Sequence, residues 1–566
     1  MTHMEAKDSR IVVKLLPSMT DFAFLMPIVF LFGRMEGMQT LLGDCDTGWH
    51  IRTGQWILQN HIVPFTDLFS YSKPGGVWYA WEWLADIVLA GFYALGGLRA
   101  IALFSVLLLS VTFTMLFFLA RSKSNAVIAI LATMAGAAAS SIHWLARPHL
   151  FTLFFTVLFY VMLERARGGA RWMLWLLIPL TALWTNLHGG FFVGIIMAGT
   201  YGVGELLAVL LAADRTGWRS RVRGASQYLV CGLGCLAASF VNPYTYRLHV
   251  HVVKFLGDSY INDHIMEYMS LSFHHPLAMF FEAILLGGAL ASAWYVSQGR
   301  YIEPLLYLTW AHGALLASRN IPISMILTAP MVAEVIKMAF DRLPELNVAG
   351  WLRAAAGKVN QMTESMSETD ALPRLHMVSA LGVVMLVALI WAPNPPKRFR
   401  AEFDPKSFPA GAIDTLAAIP AARIFTYDQW GDYLIYRLYP NHKVFVDGRC
   451  DYFGSDFEKK VADVVSVNHG WEKTLAQYRV DTILMPPSSP LTGVLKESSR
   501  WRVVYDDGVS LVFRSTNGAA TVSAAAGTEA AQGLDSRAVG RGSGRDREVT
   551  KTQASDQPNL KTKSRT

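Results

Sequence analysis

The sequence predicts a polytopic α-helical membrane protein that ends in a soluble α/β domain. Of its 566 residues, 52% are hydrophobic and only 16% are charged, and the mean hydropathy is +0.30. Apolar runs close to the roughly 20 residues that cross a bilayer recur between Phe22 and Trp391. After Asn394 the pattern changes to short alternating strands and helices, which is typical of a small α/β domain.

The apolar runs give twelve candidate spans. They are 22–38, 82–97, 99–120, 125–142, 149–164, 172–187, 191–213, 227–241, 274–296, 302–318, 321–340 and 375–393. The basic N-terminus and the basic stretches 164–171, 215–223 and 337–358 should all be cytoplasmic. These positions agree only if one candidate in 82–120 is re-entrant or interfacial, so we predict eleven or twelve spans.

This reading divides the chain into four regions. They are a cytoplasmic N-terminus (1–19), a transmembrane module (20–393) with an external loop (43–80), an extracytoplasmic, periplasmic α/β domain (394–514) and a disordered tail (515–566). In the α/β domain we expect strands at 422–426, 443–446, 482–485, 501–505 and 510–513, and helical structure in 455–478. The tail is rich in Ala, Gly, Ser, Thr and charge, a composition that cannot form a packed core.

The charge and the cysteines exclude two other classes. The formal net charge is +7, but Lys and Arg cluster between apolar runs, as orientation signals do, so we expect no nucleic-acid partner. The four cysteines lack the spacing of a zinc site. We expect them to be structural.

An acidic pair follows the first candidate span. Asp44 and Asp46 stand two residues apart where a helix leaves the bilayer, and the following stretch has the pattern of a helix that lies on the membrane. Such carboxylates can bind a divalent cation (Mg or Mn) together with a phosphate, or one can act as a general base. The alternative is that they only cap the following helix.

Polar residues also occupy four other loops predicted on the same side. They are His143, Arg147 and His149; Asn186 and His188; Asn242 and Arg247; and Arg319 and Asn320. Arg and His suit phosphate oxygens, so a cavity for an anionic lipid phosphate is one interpretation. Anchoring to lipid headgroups is the other. Glu82 and Asp86, one turn apart, could face the same cavity or pair with an Arg of a neighbouring span.

Two loops of the α/β domain follow predicted strands, where such domains bind ligands. One contains Trp430, Asp432 and Tyr433, and the other contains Asp447 and Arg449. Ordinary turn chemistry, or burial of the aromatic residues in the core, explains them equally well.

The order of these parts resembles the GT-C superfamily of membrane glycosyltransferases. This superfamily includes protein O-mannosyltransferases, lipid A aminoarabinose transferases and oligosaccharyltransferase catalytic subunits. The acidic first loop, the interfacial helix, the multi-span bundle and the external C-terminal domain are similar to its plan. Residues 20–515 also look like uncharacterised bacterial members through the stretches around Trp81, Arg147, His188 and Trp430.

The resemblance implies a GT-C-like fold and the transfer of a sugar from a polyprenyl-phosphate-linked donor to a glycan, lipid or protein acceptor. It maps the catalytic carboxylate onto Asp44 or Asp46. With it, we assign the donor phosphate to His50, Arg147, His149, His188 and Arg319. Gln429-Trp-Gly-Asp-Tyr433 resembles the acceptor-gripping Trp-Trp-Asp-Tyr-Gly motif of oligosaccharyltransferases in altered order, so we assign the acceptor to Trp430, Asp432, Tyr433, Asp447 and Arg449.

The expected location is a bacterial-type inner membrane, where membrane lipid surrounds the spans. Two alternatives stay open from the sequence. One is a transporter or flippase for a lipid-linked or anionic solute, although no internal repeat is evident. The other is a noncatalytic assembly protein.

Overall fold

The computed structural model describes residues 14–214, 216–345, 347 and 349–516. The described residues from Lys14 to Arg514 form one compact unit. Most of the predicted N-terminal region 1–19 and nearly all of the predicted tail 515–566 lie outside the described residues.

The chain is a multi-pass, mostly helical membrane protein with a small C-terminal sheet. Within the described residues, six helices are long and apolar enough to cross a membrane: Trp83–Lys123, Ala126–His143, His149–Arg167, Gly189–Leu210, Ala278–Ser297 and Ser318–Glu345. Three shorter apolar helices are Met19–Gly33, Met173–Leu187 and Met377–Ile390. The predicted spans 227–241 and 302–318 fall on helices Trp218–Ala238 and Ile302–Leu316. The total of eleven or twelve spans stays a prediction.

The region 82–120, which the sequence left open, forms two helical segments joined by a kink. Helix Trp83–Lys123 is interrupted at Gly96 and Gly97, and Gly97 has φ 64°, a conformation that favours glycine. Before the kink, Asp86 and Ala90 pack against Gly54 of helix Asp46–Asn60. The first segment therefore lies along that helix, at the end of the molecule that holds Asp46.

Ion pairs gather at the opposite end of the bundle. Lys123 pairs with Glu164, and Arg167 contacts Glu303 at 2.7 Å. Helix His149–Arg167 has 19 residues, so its two ends are about 27 Å apart at the usual rise per residue. That separation is close to the thickness of a bilayer's hydrocarbon core.

The C-terminal sheet has four strands: β1 (Ile424–Phe425), β2 (Thr482–Met485), β3 (Trp501–Asp506) and β4 (Leu511–Ser515). Their order is β1-β2-β4-β3, with β1 parallel and β4 antiparallel to β2. The predicted strand 443–446 is wrong as a strand, because only Val444 bridges to Ile424 and Ser70. The predicted helical stretch 455–478 forms two helices, Ser455–Val465 and Trp471–Gln477.

The loop before the kinked helix adds to the edge of this sheet. The backbone N–H of Tyr71 donates to the carbonyl of Val444 at 3.0 Å, and the N–H of Val444 donates to the carbonyl of Phe69 at 2.9 Å. Nearby, Arg52 Nε donates to the carbonyl of Tyr436 at 3.0 Å. The first loop and the C-terminal segment therefore build their shared surface together.

Packing at Gly54 tests how the interfacial helix is held. A Cβ at this position would overlap the carbonyl of Asp86, whereas a Cβ at Gly91, on the neighbouring helix, would meet nothing within 4 Å. We expect Gly54→Ala to lower the free energy of unfolding by about 1–3 kcal/mol through overpacking. Gly91→Ala should leave it unchanged or slightly higher. Thermal unfolding of the two purified variants in detergent measures this difference, and equal melting temperatures would contradict it.

Candidate functional site

Arg147 joins the two carboxylates of the first loop. Its Nη1 lies 2.6 Å from Asp44 Oδ2 and its Nη2 lies 2.5 Å from Asp46 Oδ2. The backbone N–H of Asp46 donates to Asp44 Oδ1 at 2.8 Å, so Asp44 also serves the turn that begins helix Asp46–Asn60. Asp44 thus contacts both the start of this helix and Arg147.

A second carboxylate–arginine group lies beside the first. Glu267 Oε1 accepts from Arg319 Nη1 at 3.2 Å, and Glu267 Oε2 is 3.8 Å from Arg147 Nη1. Arg319 also lies over the ring of Tyr268, 4.5 Å from its centroid. Burial raises the pKa of Glu267, but Arg319 and Arg147 outweigh it and hold that pKa at about 2. Glu267 is thus a carboxylate that fixes both arginines.

The other oxygen of Asp46 points to the C-terminal segment. Asp46 Oδ1 and Asp432 Oδ2 are buried, and neither accepts from an N–H or O–H group of another described residue. The two carboxyl groups are close enough to hydrogen-bond to each other when one of them is protonated. Both crowd the α-carbon of Gly448, where an added Cβ would overlap Asp46 Oδ1 and lie 2.7 Å from Asp432 Oδ2. Burial raises the pKa of Asp46 to about 7, against the pull of Arg147. Burial and Asp46 likewise raise the pKa of Asp432.

Glu82 occupies a different wall, between two histidines. Its Oε2 is 3.6 Å from His50 Nε2 and its Oε1 is 3.3 Å from His188 Nε2. His50 Nδ1 in turn lies 2.6 Å from Asp86 Oδ1. Burial raises the pKa of Glu82 to about 8, although Arg147 opposes this. Two carboxyl groups near Arg147, Glu82 and Glu267, therefore favour opposite protonation states.

The buried guanidinium of Arg449 connects the first loop to the C-terminal segment. It pairs with Asp447 at 2.6 Å and with Asp67 at 2.7 Å, and it lies 4.5 Å from the ring centroid of Trp78. Its Nη1 is buried without a hydrogen-bond partner among the described residues. Asp447 and Asp67 together carry more charge than the guanidinium of Arg449, so this group of three is not positive. Arg449 therefore contributes a hydrogen-bond donor rather than a positive electrostatic potential.

These groups surround two adjoining cavities. The smaller, of about 80 Å³, is lined by Asp46, His50, Glu82, Arg147, Glu267 and Arg449 among others. The larger, of about 790 Å³, extends between the helices. The residues that line both are Trp81, Glu82, His143, His149, His188, Phe255, Tyr268 and Arg319. The two spaces thus meet at a wall of histidines, Glu82 and Arg319.

The structure brings together most residues that the sequence singled out. His50, Arg147, His149, His188 and Arg319 all line the small cavity. Asp44 reaches it through Arg147, and Asp432 and Asp447 stand behind Gly448 and Arg449. Four of the five loops predicted to converge therefore do so. The loop of Asn242 and Arg247 lines neither cavity, and neither does the side chain of Asn186.

Trp430 and Tyr433 are not part of the lining of either cavity. Trp430 is buried and its Nε1 donates to the carbonyl of Ser407 at 2.9 Å. The hydroxyl of Tyr433 accepts from Arg437 at 2.8 Å. Both side chains pack in the core of the C-terminal segment, so the geometry supports an acceptor role for neither. That role stays a prediction from the altered motif.

Sequence reasoning missed Glu267 and Asp67. Glu267 sits between Met266 and Tyr268 in a loop predicted on the same side as the other polar residues. It could have been predicted by matching buried charges, because Arg147 and Arg319 need carboxylate partners near them. Asp67 carried no comparable signal, because its partner Arg449 lies far along the chain.

The side chains at the site supply only part of the ligands that a metal ion would need. Among the residues that the structure describes, no group of three or more His, Cys, Asp or Glu side chains is arranged to hold a metal ion. Arg147 occupies one oxygen of Asp44 and one of Asp46. The unpartnered oxygens of Asp46 and Asp432 are the carboxylate atoms left to bind a cation.

No protein-family model matches the sequence, and no curated protein matches it. Solved membrane glycosyltransferases do match the structure. The oligosaccharyltransferase of Archaeoglobus fulgidus in the apo form is 11% identical, with TM-score 0.51 over 82% of this chain and 69% of that chain. The chain has the GT-C fold.

Two further solved structures are similar to parts of this chain. AglB of Archaeoglobus fulgidus, in complex with an inhibitory peptide and a dolichol-phosphate, is 12% identical, with TM-score 0.52 over 90% of this chain and 75% of that chain. ArnT from Cupriavidus metallidurans, bound to undecaprenyl phosphate, is 15% identical, with TM-score 0.45 over 86% and 96%. Identities this low concern the fold alone.

Arg147 should be the residue on which the local structure depends most. Arg147→Gln leaves Asp44, Asp46 and Glu267 facing one another without their shared cation, which typically costs about 3–5 kcal/mol for a buried pair. We expect a lower melting temperature in lipid nanodiscs, partly recovered in Arg147→Gln/Asp46→Asn because one uncompensated charge is gone. Arg219→Gln, at an exposed site, is the control. A loss no larger than in this control would contradict the central role of Arg147.

Proposed function

We propose that the protein is a membrane glycosyltransferase that moves a sugar from a polyprenyl-phosphate-linked donor to an extracytoplasmic acceptor, with inversion at the sugar carbon. The observation that carries this proposal is the junction of a small charged cavity with a large groove between helices. A lipid phosphate has the same two parts, a charged head and a long apolar chain.

The walls of the groove suit the chain of such a donor. Leu153, Phe192, Val252, Trp310 and Ile323 line it, and its volume of about 790 Å³ can hold several isoprene units. A dolichol-phosphate is bound to AglB, which shares the GT-C fold. This likeness supports a lipid-phosphate donor here without naming its sugar or its lipid.

The donor phosphate would lie where the two cavities meet. Arg319 supplies positive charge there, and His143, His149 and His188 supply ring N–H groups. His149 Nε2 already donates to the carbonyl of His143 at 2.8 Å, and His188 Nε2 lies 3.3 Å from Glu82 Oε1, so Arg319 is the best placed donor. Charge-assisted hydrogen bonds to phosphate are among the strongest that proteins make.

Asp46 is the carboxylate best suited to be the base. Its Oδ1 accepts from no N–H or O–H group of another described residue, and Asp46 lines the small cavity. Asp44, in contrast, is engaged by Arg147, by the backbone of Asp46 and by Gln429 at 3.5 Å. Asp46 would take the proton of the acceptor hydroxyl as its oxygen attacks the sugar carbon, while Asp44 positions Arg147.

The acceptor would approach from the C-terminal side of the cavity. The unpartnered Nη1 of Arg449 can donate to a hydroxyl or carbonyl oxygen, and Asp432 can order the same face. Because the group of Arg449, Asp447 and Asp67 is not positive, it favours a neutral oxygen of a glycan, lipid or protein over a second phosphate.

The proposal also includes a divalent cation (Mg or Mn) at the site. Asp432 Oδ2 would hold it together with donor phosphate oxygens and water, because Asp46 Oδ1 is the oxygen that takes the acceptor proton. When bound, it would neutralise charge on the departing phosphate. Chelation followed by addition of single metals to the transfer assay tests this component directly.

The proposed location is a bacterial-type inner membrane with the C-terminal domain outside. Lys123, Arg167 and Arg300 lie at the end of the bundle away from the site, where the positive-inside rule expects the cytoplasm. The cavities and the segment after Trp391 then face the extracytoplasmic side.

A transporter or flippase explains this arrangement less well. A transport pathway needs polar residues near the middle of the membrane. Between His149 and Glu164, the helix that connects the two charged ends carries only Thr152, Thr156 and Tyr160 as polar side chains. A noncatalytic assembly protein would not need the buried carboxylates next to a lipid groove.

Transfer of label from radiolabelled polyprenyl-phosphate sugars to endogenous membrane acceptors, with purified protein in nanodiscs, tests the proposal. Asp46→Asn should lower the rate by about 10²–10⁴-fold, the usual contribution of a general base. Asp44→Asn should also impair transfer, because Arg147 loses one of its anchors. Asp456→Asn, at an exposed position, is the matched control.

Full activity in Asp46→Asn would remove that residue from the base role. If a broad donor panel gives neither transfer nor donor binding, the glycosyltransferase proposal fails. In that case the transporter and assembly alternatives take its place.

A further inference from the structure

Glu82 stands at the boundary between the two cavities, in a row of polar groups. His50 lies 2.6 Å from Asp86 and 3.6 Å from Glu82, and Glu82 lies 3.3 Å from His188. The side chain of Glu82 is only 12% exposed, and those of His50 and Asp86 are 1% exposed. Among the described residues, the two histidines are the only partners within ion-pair distance of Glu82.

The tautomer of His188 is fixed by its surroundings. The backbone N–H of Gly190 donates to His188 Nδ1 at 3.0 Å, and the hydroxyl of Thr152 lies 2.7 Å from the same atom. Thr152 can donate to His188, because its oxygen accepts from Trp184 Nε1 at 3.0 Å. The ring proton of His188 is therefore on Nε2, which faces Glu82 Oε1.

The opposite side of Glu82 faces His50. His50 Nε2 lies 3.6 Å from Glu82 Oε2, which is too long for a hydrogen bond. The short contact of His50 is with Asp86, between Nδ1 and Oδ1 at 2.6 Å. Among the described residues, no Arg or Lys lies within ion-pair distance of Glu82. Burial without such a cation favours the neutral, protonated form of a carboxyl group.

We propose that Glu82 holds a proton as a carboxylic acid and donates it to the phosphate oxygen that leaves the sugar. This inference rests on the proposed glycosyltransferase function. Glu82 is a better candidate than Asp86, because Glu82 lines both cavities and Asp86 lines only the small one. Glu82 also lies at the wall where the donor phosphate would lie. In addition, Asp86 Oδ2 is buried without a partner and cannot reach the groove lining.

The step balances as follows. The bond from the sugar carbon to the phosphate oxygen breaks, its electron pair stays on that oxygen, and the oxygen takes the proton of Glu82. The acceptor oxygen forms the new bond to the sugar carbon and gives its proton to Asp46. Water then removes the proton from Asp46 and returns one to Glu82, so that one proton passes overall from acceptor to phosphate.

The charges around Glu82 set the pH at which the proton is lost. Burial raises its pKa to about 8; Arg147 and Arg319 lower it, while Asp451 and Asp46 raise it. Because this pKa is raised, Glu82 is protonated at neutral pH and becomes an anion as the pH rises through about 8. The charged and titratable groups near it are Asp86 on its own helix and, on other elements, His50, His188, Arg147, Arg319, Asp46 and Asp451.

Infrared difference spectroscopy of the full-length protein at pH 7 tests where the proton resides. A protonated carboxyl has a C=O stretch that a carboxylate lacks. We expect Glu82→Gln to remove one such band and Asp86→Asn to retain it. Glu267→Gln is the matched control in the same cavity, because Glu267 is ionised and its loss should remove no band. A band that persists in Glu82→Gln and disappears in Asp86→Asn would overturn the proposal.

Binding of undecaprenyl phosphate provides a second readout that needs no turnover. Between pH 7 and pH 9, the affinity of the wild type should fall about tenfold more than that of Glu82→Gln, because only the wild type gains a negative charge beside the phosphate. The variant accounts for the titration of the phosphate itself. Parallel curves for the two proteins would overturn the inference.

The two tests separate the inference from the proposed function. A lost band in Glu82→Gln with no binding of any lipid phosphate would support the protonated Glu82 and reject the lipid donor. Normal binding and transfer, with the band unchanged in Glu82→Gln, would reject the acid role and leave the glycosyltransferase proposal intact.

Discussion

The ion pairs of Arg147 are the interaction on which the site depends. One buried guanidinium binds Asp44 and Asp46 in the first loop and faces Glu267 from a later loop. A buried charge is tolerated only when its partners are close and well oriented. The positions of three loops are therefore fixed together. Asp46 can keep one oxygen free because Arg147 holds the other, so the same contact that stabilises the loop also directs a carboxylate into the cavity.

The same constraint joins the first loop to the C-terminal segment. Arg449 pairs with Asp447 of its own loop and with Asp67 of the first loop, and backbone hydrogen bonds join Tyr71 and Phe69 to Val444. Neither part can form these contacts alone. The small cavity has one wall from each, which explains why the described residues from Lys14 to Arg514 form one compact unit although the composition changes near residue 394.

The sequence predicted the membrane class, the C-terminal sheet and most of the charged residues at the site. Arg147, His188 and Arg319 could be found because polar residues at helix ends are costly and so are informative. The kink at Gly96 and Gly97 could not be placed, because hydropathy does not distinguish one long helix from two segments. The sequence could not place Trp430 and Tyr433 for another reason: an aromatic residue near a loop has the same sequence pattern whether it packs in a core or lines a cavity.

The surroundings of Glu267 and Glu82 alone give these two carboxyl groups different pKa values. Glu267 is held at a pKa of about 2 by Arg319 and Arg147, whereas burial raises the pKa of Glu82 to about 8. Neutral pH lies between these values, so one group is an anion and the other an acid. A reaction that moves a proton from an acceptor to a leaving phosphate needs one group that is already ionised and fixes cations, and another that still holds a proton. Two glutamates with identical chemistry can meet both needs because one contacts guanidinium groups and the other contacts imidazoles.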